Sequence, residues 1–243
     1  MLLTGNLEQL SDIGNMKTIG ILGGMSAAST LVYYRRLCDL HRDAKGGLAS
    51  PDLLIRSVDF SVIEEMQRAG DWAAAGQFLN QAARSLKAGG AEILLLATNT
   101  MHKVADSVTE GVDLPFIHIA DATAAEIVRA GFRRPGLMAT AFTMEQRFYI
   151  ERLEAAGLAP VIPSLDDRET VHRIIYEELC RDEVREDSRL RFQQIAERLV
   201  QAGADSLILG CTEVGMLLHA GNVSVPVFDT VDIHCRAALA AAG

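Results

Sequence analysis

Residues 205–213 constrain the fold of this chain more than any other stretch. Residues 207–209 form an apolar run (Leu-Ile-Leu) that is typical of a buried parallel strand, because both faces of such a strand are covered. The run ends abruptly in Gly-Cys-Thr-Glu at residues 210–213, and a helical pattern resumes at Val214. Ligands of open α/β sheets bind just beyond the carboxyl ends of the strands, so we expect a functional site at the Cys211 turn.

The same pattern occurs a second time, earlier in the chain. Residues 90–100 align with residues 203–213, and further strand-like segments align at a nearly constant offset of 111 to 116 positions. This spacing predicts a duplicated half, with two facing half-sites of which one carries a threonine and the other a thiol. The aligned positions are Gly20 with Gly136, Thr98 with Cys211, and Pro115 with Pro226.

Strand-like and helical segments alternate along the whole chain, which is typical of an α/β fold with parallel sheets flanked by helices. We predict strands at residues 18–22, 53–60, 93–97, 115–119, 136–140, 159–163, 206–209 and 225–228. We predict helices at residues 27–39, 60–69, 71–88, 120–130, 148–156, 166–179, 187–202 and 232–242, with a further capped helix start at residues 143–145.

The repeat also predicts where the chain passes between its two halves. We expect the two crossings near residues 111–114 and 222–224. The predicted boundaries are residues 16–112 with 225–243 for the first domain and residues 113–224 for the second. The sequence from Met16 onward reads as a natural start, so residues 1–15 are predicted to be a disordered extension.

The composition argues against several classes of protein. A net charge of −9 and a pI near 5.2 disfavour a role at nucleic acids or at a membrane surface. No apolar run approaches the roughly eighteen residues that a membrane span requires. Residues 1–15 lack the basic start and the apolar core of a secretory signal, so we expect a cytoplasmic protein.

The four cysteines show neither a CxxC pair nor a zinc-binding spacing, so we expect free thiols. Cys38, Cys180 and Cys235 lie in helical patterns, where the expected role is that of a small buried apolar residue. Cys211 alone lies at a strand-to-helix turn. There we expect the N–H groups of the helix start to lower the thiol pKa from its ordinary value of about 8.5.

The turns could bind and activate a carboxylate. The Gly-Gly-Met-Ser turn at residues 23–26 lacks the full spacing of a nucleotide-binding loop, but its N–H groups could hold a carboxylate, and Ser26 is suited to cap the next helix. The Thr98 and Cys211 turns supply a hydroxyl or thiol beside further polar groups. Donors aimed at a carboxylate stabilise the charge that grows when its neighbouring carbon loses a proton. A base on one face and an acid on the other would invert a stereocentre.

Four motifs occur in order: IGILGGMS at residues 19–26, YYR at 33–35, TNTMH at 98–102 and LGCTE at 209–213. Together they resemble the aspartate/glutamate racemase family, from Met16 to the end of the chain. The resemblance implies two pseudo-symmetric α/β domains with the active site in the cleft between them. It also implies a small amino-acid substrate, no pyridoxal phosphate or metal, two cysteines that face each other across the substrate's α-carbon, and a homodimer.

The sequence departs from this family pattern at Thr98, which stands where the family carries its first cysteine, whereas Cys211 keeps the second. The departure resembles a subgroup that has threonine here and favours L-aspartate or L-glutamate. A hydroxyl is a far weaker acid than a thiol, so we expect Cys211 to be the strong base and Thr98 a poor partner. One enantiomer should therefore lose its α-proton readily, and the return of a proton from the Thr98 side should be slow.

The resemblance implies further site residues. Those that match positions around the substrate are Met25, Ser26, Asn99, Thr100, Thr140, Thr143 and Thr212. Glu213 borders the substrate as well, where it would orient the thiol or cap the helix. The distal carboxylate needs a cation, for which Arg56, Arg168 and Arg173 are candidates, because the guanidinium fork binds a carboxylate with two hydrogen bonds. His102 is expected to be structural.

Three alternatives stay open on the sequence alone. An arylmalonate-decarboxylase-like enzyme would use the single thiol to protonate an enediolate, and Thr98 is compatible with it. Maleate isomerase and hydantoin racemase share only the general layout. A binding protein that has lost one catalytic thiol would hold aspartate without exchanging its α-proton, although a cysteine retained at the turn argues against it.

Overall fold

The computed structural model describes residues 16–243, so the expected extension over residues 1–15 lies outside the described residues. The strands are β1 (Ile19–Gly23), β2 (Leu53–Ser57), β3 (Ile93–Leu96), β4 (Pro135–Met138), β5 (Ser206–Leu209) and β6 (Val227–Asp229). The helices are α1 (Ala27–Lys45), α2 (Phe60–Ala69), α3 (Trp72–Ala88), α4 (Ala105–Thr109), α5 (Ile119–Arg129), α6 (Ala141–Glu145), α7 (Arg147–Ala155), α8 (Leu165–Glu177), α9 (Glu186–Gln201) and α10 (Thr230–Ala242). The predicted alternation of strands and helices is confirmed.

The strands form two parallel sheets, in the orders β2-β1-β3 and β4-β5-β6. Two predicted strands shrink to single bridges that extend these sheets: Phe116 pairs with Leu94, and Val161 pairs with Gly136. Proline at positions 115, 160 and 163 explains the difference, because proline has no N–H group to donate to a strand ladder. With these bridges the two sheets have equivalent layouts.

The predicted duplication appears in the geometry as well as in the topology. Gly20 in β1 pairs with Leu94, and Gly136 in β4 pairs with Leu207, the residue that the repeat aligns with Leu94. A Cβ atom on Gly20 would lie 2.7 Å from the Cβ of Ala91, and one on Gly136 would lie 2.8 Å from Cδ2 of Leu207. Both positions thus require glycine for the same reason, a close approach of neighbouring side chains.

Apolar side chains cover both faces of the first sheet. Ile19 and Ile21 of β1 are fully buried against α1 and α10, whereas Leu22 packs on the opposite face with residues of α3. The second sheet has its own core, centred on Leu207 and Ile208 of β5. Burial along the whole length of β3, β4 and β5 agrees with their apolar sequences.

The chain passes between its two halves at positions closer to the C-terminus than predicted, as the strand pairing shows. Phe116 still pairs with the first sheet, and the core of the second sheet begins with Ile119 of α5. In the other direction, β6 pairs with β5 in the second sheet, and only α10 returns to the first. Residues 225–229 therefore lie with the second sheet and residues 113–116 with the first, because the duplicated strands pair in register with their own half. Among the helices of residues 16–243, none combines the length and apolar character that crossing a membrane demands.

Candidate active site

Thr98 follows β3 and Cys211 follows β5, and the two turns meet at one cavity between the sheets. Equivalent backbone hydrogen bonds set both turns: Ala97 N donates to the carbonyl of Leu22, and Gly210 N donates to the carbonyl of Met138, at 2.9 and 2.8 Å. The cavity has a volume of about 20 Å³, roughly the space of one water molecule. Its position at the carboxyl ends of both sheets is the one that the sequence predicts.

The Cys211 thiol is paired with a buried carboxylate. Its Sγ donates a hydrogen bond to Oε2 of Glu213 at 2.9 Å, and Glu213 is only 4% exposed. The other carboxylate oxygen accepts a hydrogen bond from the Ser26 hydroxyl at 2.7 Å, and the Thr212 hydroxyl also donates to the carboxylate. Glu213 therefore orients the thiol, whereas no side chain caps the short 3-10 helix Thr212–Met216.

Burial and the negative charge of Glu213 raise the pKa of Cys211 well above its ordinary value. The predicted lowering by helix N–H groups is wrong in direction. The helix that follows Cys211 is a five-residue 3-10 turn, whose dipole is small, and a carboxylate 2.9 Å from the sulfur opposes it. Cys211 therefore rests as a thiol beside an acceptor for its proton.

The Thr98 turn has a different electrostatic environment. The Thr98 hydroxyl lines the cavity and makes no hydrogen bond with any residue in the described range 16–243. Its carbonyl accepts a hydrogen bond from Nδ1 of His102 at 2.7 Å, and Nε2 of His102 accepts one from the backbone N–H of Ile119. His102 thus holds the turn in place, and burial keeps its pKa well below the ordinary value.

Asn99 presents a free acceptor to the cavity. The Thr230 hydroxyl donates to the carbonyl of Leu209 at 2.8 Å, so it must accept from Nδ2 of Asn99 at 3.1 Å. This fixes the amide orientation and leaves Oδ1 of Asn99 buried without a partner. An ammonium group is a suitable donor for such an oxygen. In the same turns, the backbone N–H groups of Asn99 and Cys211 have no acceptor within residues 16–243.

Two cross-braces join the halves at this site. Ser26, the N-cap of α1, donates to Glu213, while Thr140, the N-cap of α6, shares a hydrogen bond with the Thr100 hydroxyl at 2.9 Å. Thr143 lies 3.2 Å from Thr140 and is fully buried. Met25, Thr100, Thr140 and Thr212 line the cavity beside the two catalytic candidates, whereas Ser26 and Thr143 support it from behind.

The three candidate arginines do not line the cavity. Arg56 is exposed on the edge strand β2, where its guanidinium donates to the carbonyl of Ser57. Arg168 is held by Glu145 and by the carbonyl of Pro163, and Arg173 forms an ion pair with Glu177 on the helix surface. The placement of Arg56 at the substrate is therefore corrected, because its strand lies at the solvent edge of the first sheet.

The structure adds five cavity residues that the sequence does not nominate: Phe60 and Gln67 of α2, Ile175 and Tyr176 of α8, and Cys180. The Tyr176 hydroxyl donates to Oε1 of Gln67 at 3.2 Å, across the cleft. Cys180, predicted to be an ordinary buried residue, lies in the 3-10 turn Leu179–Arg181, and burial together with Glu213 raises its pKa to about 12. Helical periodicity marks the apolar face of a helix but not a polar residue on that face that meets a second domain.

Among residues 16–243, no group of three or more histidine, cysteine, aspartate or glutamate side chains is arranged to hold a metal ion. The functional groups that converge on the cavity are a thiol, a carboxylate, hydroxyls, an amide and backbone N–H groups. Such a set can move a proton to and from a carbon next to a carboxylate.

Comparison with known proteins agrees with this geometry. The family model described as Asp/Glu/Hydantoin racemase matches residues 22–238. The crystal structure of a candidate Asp/Glu racemase from Yersinia pestis is 47% identical, with a TM-score of 0.86 over 93% of this chain and 99% of that one. An aspartate racemase homologue from Pyrococcus horikoshii is 37% identical, with a TM-score of 0.82 and the same coverage.

A more distant curated relative is the broad-specificity amino-acid racemase RacX of Bacillus subtilis. It is 22% identical over 215 residues, which cover 87% of this chain and 92% of RacX. The family match spans most of the described residues and includes both turns of the cavity. On these grounds the chain belongs to the Asp/Glu/hydantoin racemase family.

Proposed function

We propose that this protein is an amino-acid racemase that works without a cofactor and uses Cys211 and Thr98 on opposite faces of the substrate's α-carbon. One observation carries the proposal: the two duplicated turns meet at a single cavity, where a thiol is hydrogen-bonded to a buried carboxylate. The family and its solved members support the reaction class. The resemblance and the names of these relatives support aspartate and glutamate as the first substrates to test.

Cys211 and Glu213 form the base side of this mechanism. Glu213 accepts the thiol proton, and the resulting thiolate removes the α-proton of the substrate. The C–H bond breaks, an S–H bond forms, and the electron pair spreads into the α-carboxylate. The free N–H groups of the turns stabilise that growing charge. The buried Oδ1 of Asn99 accepts a hydrogen bond from the substrate ammonium and so fixes the α-carbon between the two faces.

Thr98 forms the acid side. Its hydroxyl donates a proton to the opposite face of the α-carbon. When the cleft opens, the alkoxide that remains recovers a proton from water, and Glu213 releases to water the proton that it accepted from Cys211, so the starting state is restored. No carboxylate or other base contacts this hydroxyl within the described residues, so this half of the reaction lacks the assistance that Cys211 receives. We propose that Cys211 faces the α-proton of the L-enantiomer. Exchange of that proton is then faster than full inversion.

The cleft must open for substrate to bind. A volume of about 20 Å³ is too small for any amino acid, and contacts between the halves close its mouth. Trp72 of α3 packs edge-on against Phe142 of α6, and Phe60 of α2 stacks on Tyr176 of α8. Separation of these aromatic pairs admits substrate, and their return excludes water from the reacting carbon.

Proton NMR in heavy water tests the proposed function. L-Glutamate and L-aspartate are incubated with the protein and with Cys211→Ala, and the α-proton signal is followed. Loss of the signal only with the intact thiol, followed by the D-enantiomer on a chiral column, is the expected result. Absence of α-proton exchange with every amino acid tested, including neutral ones, would refute the racemase and favour the decarboxylase or the binding protein.

Two expectations remain predictions for this chain. The family resemblance implies a homodimer, which light scattering of the purified protein would test by mass. The cytoplasmic location rests on sequence composition and requires localisation in cells.

A further inference from the structure

The walls of the cavity differ in their roles. The Thr98 and Cys211 turns hold the groups attached to the α-carbon, because they carry the acid, the base and the free N–H groups. The opposite walls come from α2 and α8, which contribute Phe60, Gln67 and Tyr176. A substrate side chain therefore extends toward Gln67 and Tyr176.

Hydrogen-bonding groups at this wall are neutral. Gln67 is 5% exposed, and its Oε1 accepts a hydrogen bond from the Tyr176 hydroxyl at 3.2 Å. Its Nε2 points at Sδ of Met101, 2.9 Å away, and a thioether is a weak acceptor. The Gln67 amide hydrogens are thus available to a better acceptor, and the Tyr176 oxygen can itself accept a hydrogen bond.

The cavity contains no cation. None of its lining side chains, all of which belong to the described residues, is lysine, arginine or histidine, whereas the Glu213 carboxylate is one of them. Burial and nearby negative groups raise the pKa of both Cys211 and Tyr176. A second carboxylate in this space would meet the same unfavourable environment, since a buried charge without a partner is strongly destabilised.

We infer that Gln67 and Tyr176 form the side-chain subsite of this enzyme and that they select an uncharged, hydrogen-bonding side chain over a carboxylate. This inference rests on the proposed function and names its substrate class. A primary amide fits the subsite best: its carbonyl accepts from Nε2 of Gln67, and its NH2 group donates to the Tyr176 oxygen. Glutamate and aspartate can still react, but without a counter-charge for the distal carboxylate.

Two substrate pairs of nearly equal shape test this selection. Glutamine and glutamate differ at the side-chain end only in an amide against a carboxylate, and so do asparagine and aspartate. The rate of α-proton exchange in heavy water, at limiting substrate, gives kcat/KM for each. We expect at least one amide to exceed its matching acid by more than about tenfold, since the acid leaves a buried charge unpaired.

Variants at the subsite give a second readout, the ratio of kcat/KM for glutamine to kcat/KM for glutamate. A general loss of stability lowers both values and leaves this ratio unchanged. Gln67→Arg places a cation at the subsite and should shift the glutamine-to-glutamate ratio toward glutamate by more than about tenfold. Tyr176→Phe, which removes one hydroxyl, should lower the glutamine-to-glutamate ratio. Arg56→Gln is the matched control outside the cavity and should leave the ratio unchanged.

The outcomes separate this inference from the proposed function. Amide preference that falls in Tyr176→Phe supports both. Exchange of glutamate and aspartate that equals or exceeds exchange of their amides overturns the inference and leaves the racemase standing. An Arg56→Gln variant that loses activity on the acids alone would also overturn it. Failure of all four amino acids to exchange refutes the proposed function, and the inference with it.

Discussion

The Cys211 thiol donates a hydrogen bond to Oε2 of Glu213 at 2.9 Å, whereas the Thr98 hydroxyl in the duplicated turn has no hydrogen-bond partner among residues 16–243. One backbone hydrogen bond is equivalent in the two turns, from Ala97 N and from Gly210 N, but their reactive side chains have different partners. A thiol with its own proton acceptor is a competent base, and an unassisted hydroxyl is a slow acid. The kinetics of the two faces should differ accordingly.

Glu213→Gln should have opposite effects on two properties of Cys211. Loss of the negative charge lowers the thiol pKa, so alkylation by iodoacetamide at neutral pH becomes faster. Loss of the proton acceptor slows α-proton exchange by about 100-fold or more. Mass spectrometry and NMR measure the two rates. Glu177→Gln, on the exposed surface of α8, is the matched control, and a variant in which both rates fall together would indicate misfolding instead.

The dependence of kcat/KM on pH should show that the Cys211 proton passes to Glu213 and not to water. Burial and Glu213 hold the pKa of the thiol well above its ordinary value, so the Cys211–Glu213 pair keeps its one proton at neutral pH. Because this pair is already the active form, kcat/KM should change little between about pH 7 and 9, whereas in Glu213→Gln, which lacks the acceptor, it should rise with pH. A wild-type kcat/KM that rises by about one logarithmic unit per pH unit over this range would contradict transfer to Glu213.

Asn99→Ala should weaken substrate use through loss of the free acceptor. Oδ1 of Asn99 is buried without a partner, and an ammonium group bound to it forms a charge-assisted hydrogen bond worth about 1.5–3 kcal/mol. We expect kcat/KM to fall by about 10- to 100-fold. Asn99→Asp keeps an acceptor in place and should retain more activity than the alanine variant at pH 8. Equal losses in both variants would mean that Asn99 acts only through its contact with Thr230.

Acid should destabilise the protein through three buried histidines. His102 lies with its ring centroid 4.5 Å from that of His118 and 5.7 Å from that of His234. Burial lowers the pKa of His102, and it lowers those of His118 and His234 to about 4. Between about pH 6.5 and pH 4 the unfolded chain binds protons that the folded protein does not, so stability falls as pH falls.

Urea unfolding at pH 7.5, 6.5 and 5.5 measures this effect. Each histidine contributes a slope of up to about 1.4 kcal/mol per pH unit in the free energy of unfolding. His234→Gln removes one of the three titrating groups, so it should lower this slope by up to about 1.4 kcal/mol per pH unit. The lower slope is expected even if the variant is less stable at every pH. A free energy of unfolding that is constant from pH 7.5 to 5.5 would show that the cluster takes up protons in the folded state.

Much of the fold follows from short-range patterns. Helix α2 begins and ends at residues 60 and 69, and β5 at residues 206 and 209, as predicted, because caps and apolar runs mark those boundaries locally. The meeting of Thr98 with Cys211 is also predictable, since the carboxyl ends of duplicated parallel strands carry both. The pairing of β6 with the second sheet is not, because a short strand can extend either sheet until its partners are known.

The parts of the site that sequence reasoning misses depend on contacts between distant residues. The pKa of Cys211 rises because of burial and the nearby Glu213 carboxylate. The motif offers Glu213 as a partner of the thiol, but the burial of both groups cannot be read from a turn motif. Gln67 and Tyr176 belong to helices in opposite halves, more than one hundred residues apart, and their contact across the cleft depends on how the two halves pack. The chemistry of arginine makes Arg56 a candidate ligand for a carboxylate. Its position at an exposed sheet edge cannot be predicted from that chemistry.

The unequal roles of Cys211 and Thr98 can be tested most directly by following α-proton exchange and inversion in one sample. An L-amino acid in heavy water is monitored by NMR and by chiral chromatography, with wild type, Thr98→Val and Thr98→Cys. We predict that the L-substrate exchanges its α-proton faster than it inverts. Thr98→Val should keep the exchange and lose inversion, and Thr98→Cys should bring the two rates together. Equal exchange and inversion rates in the wild type, or loss of exchange in Thr98→Val, would contradict the account.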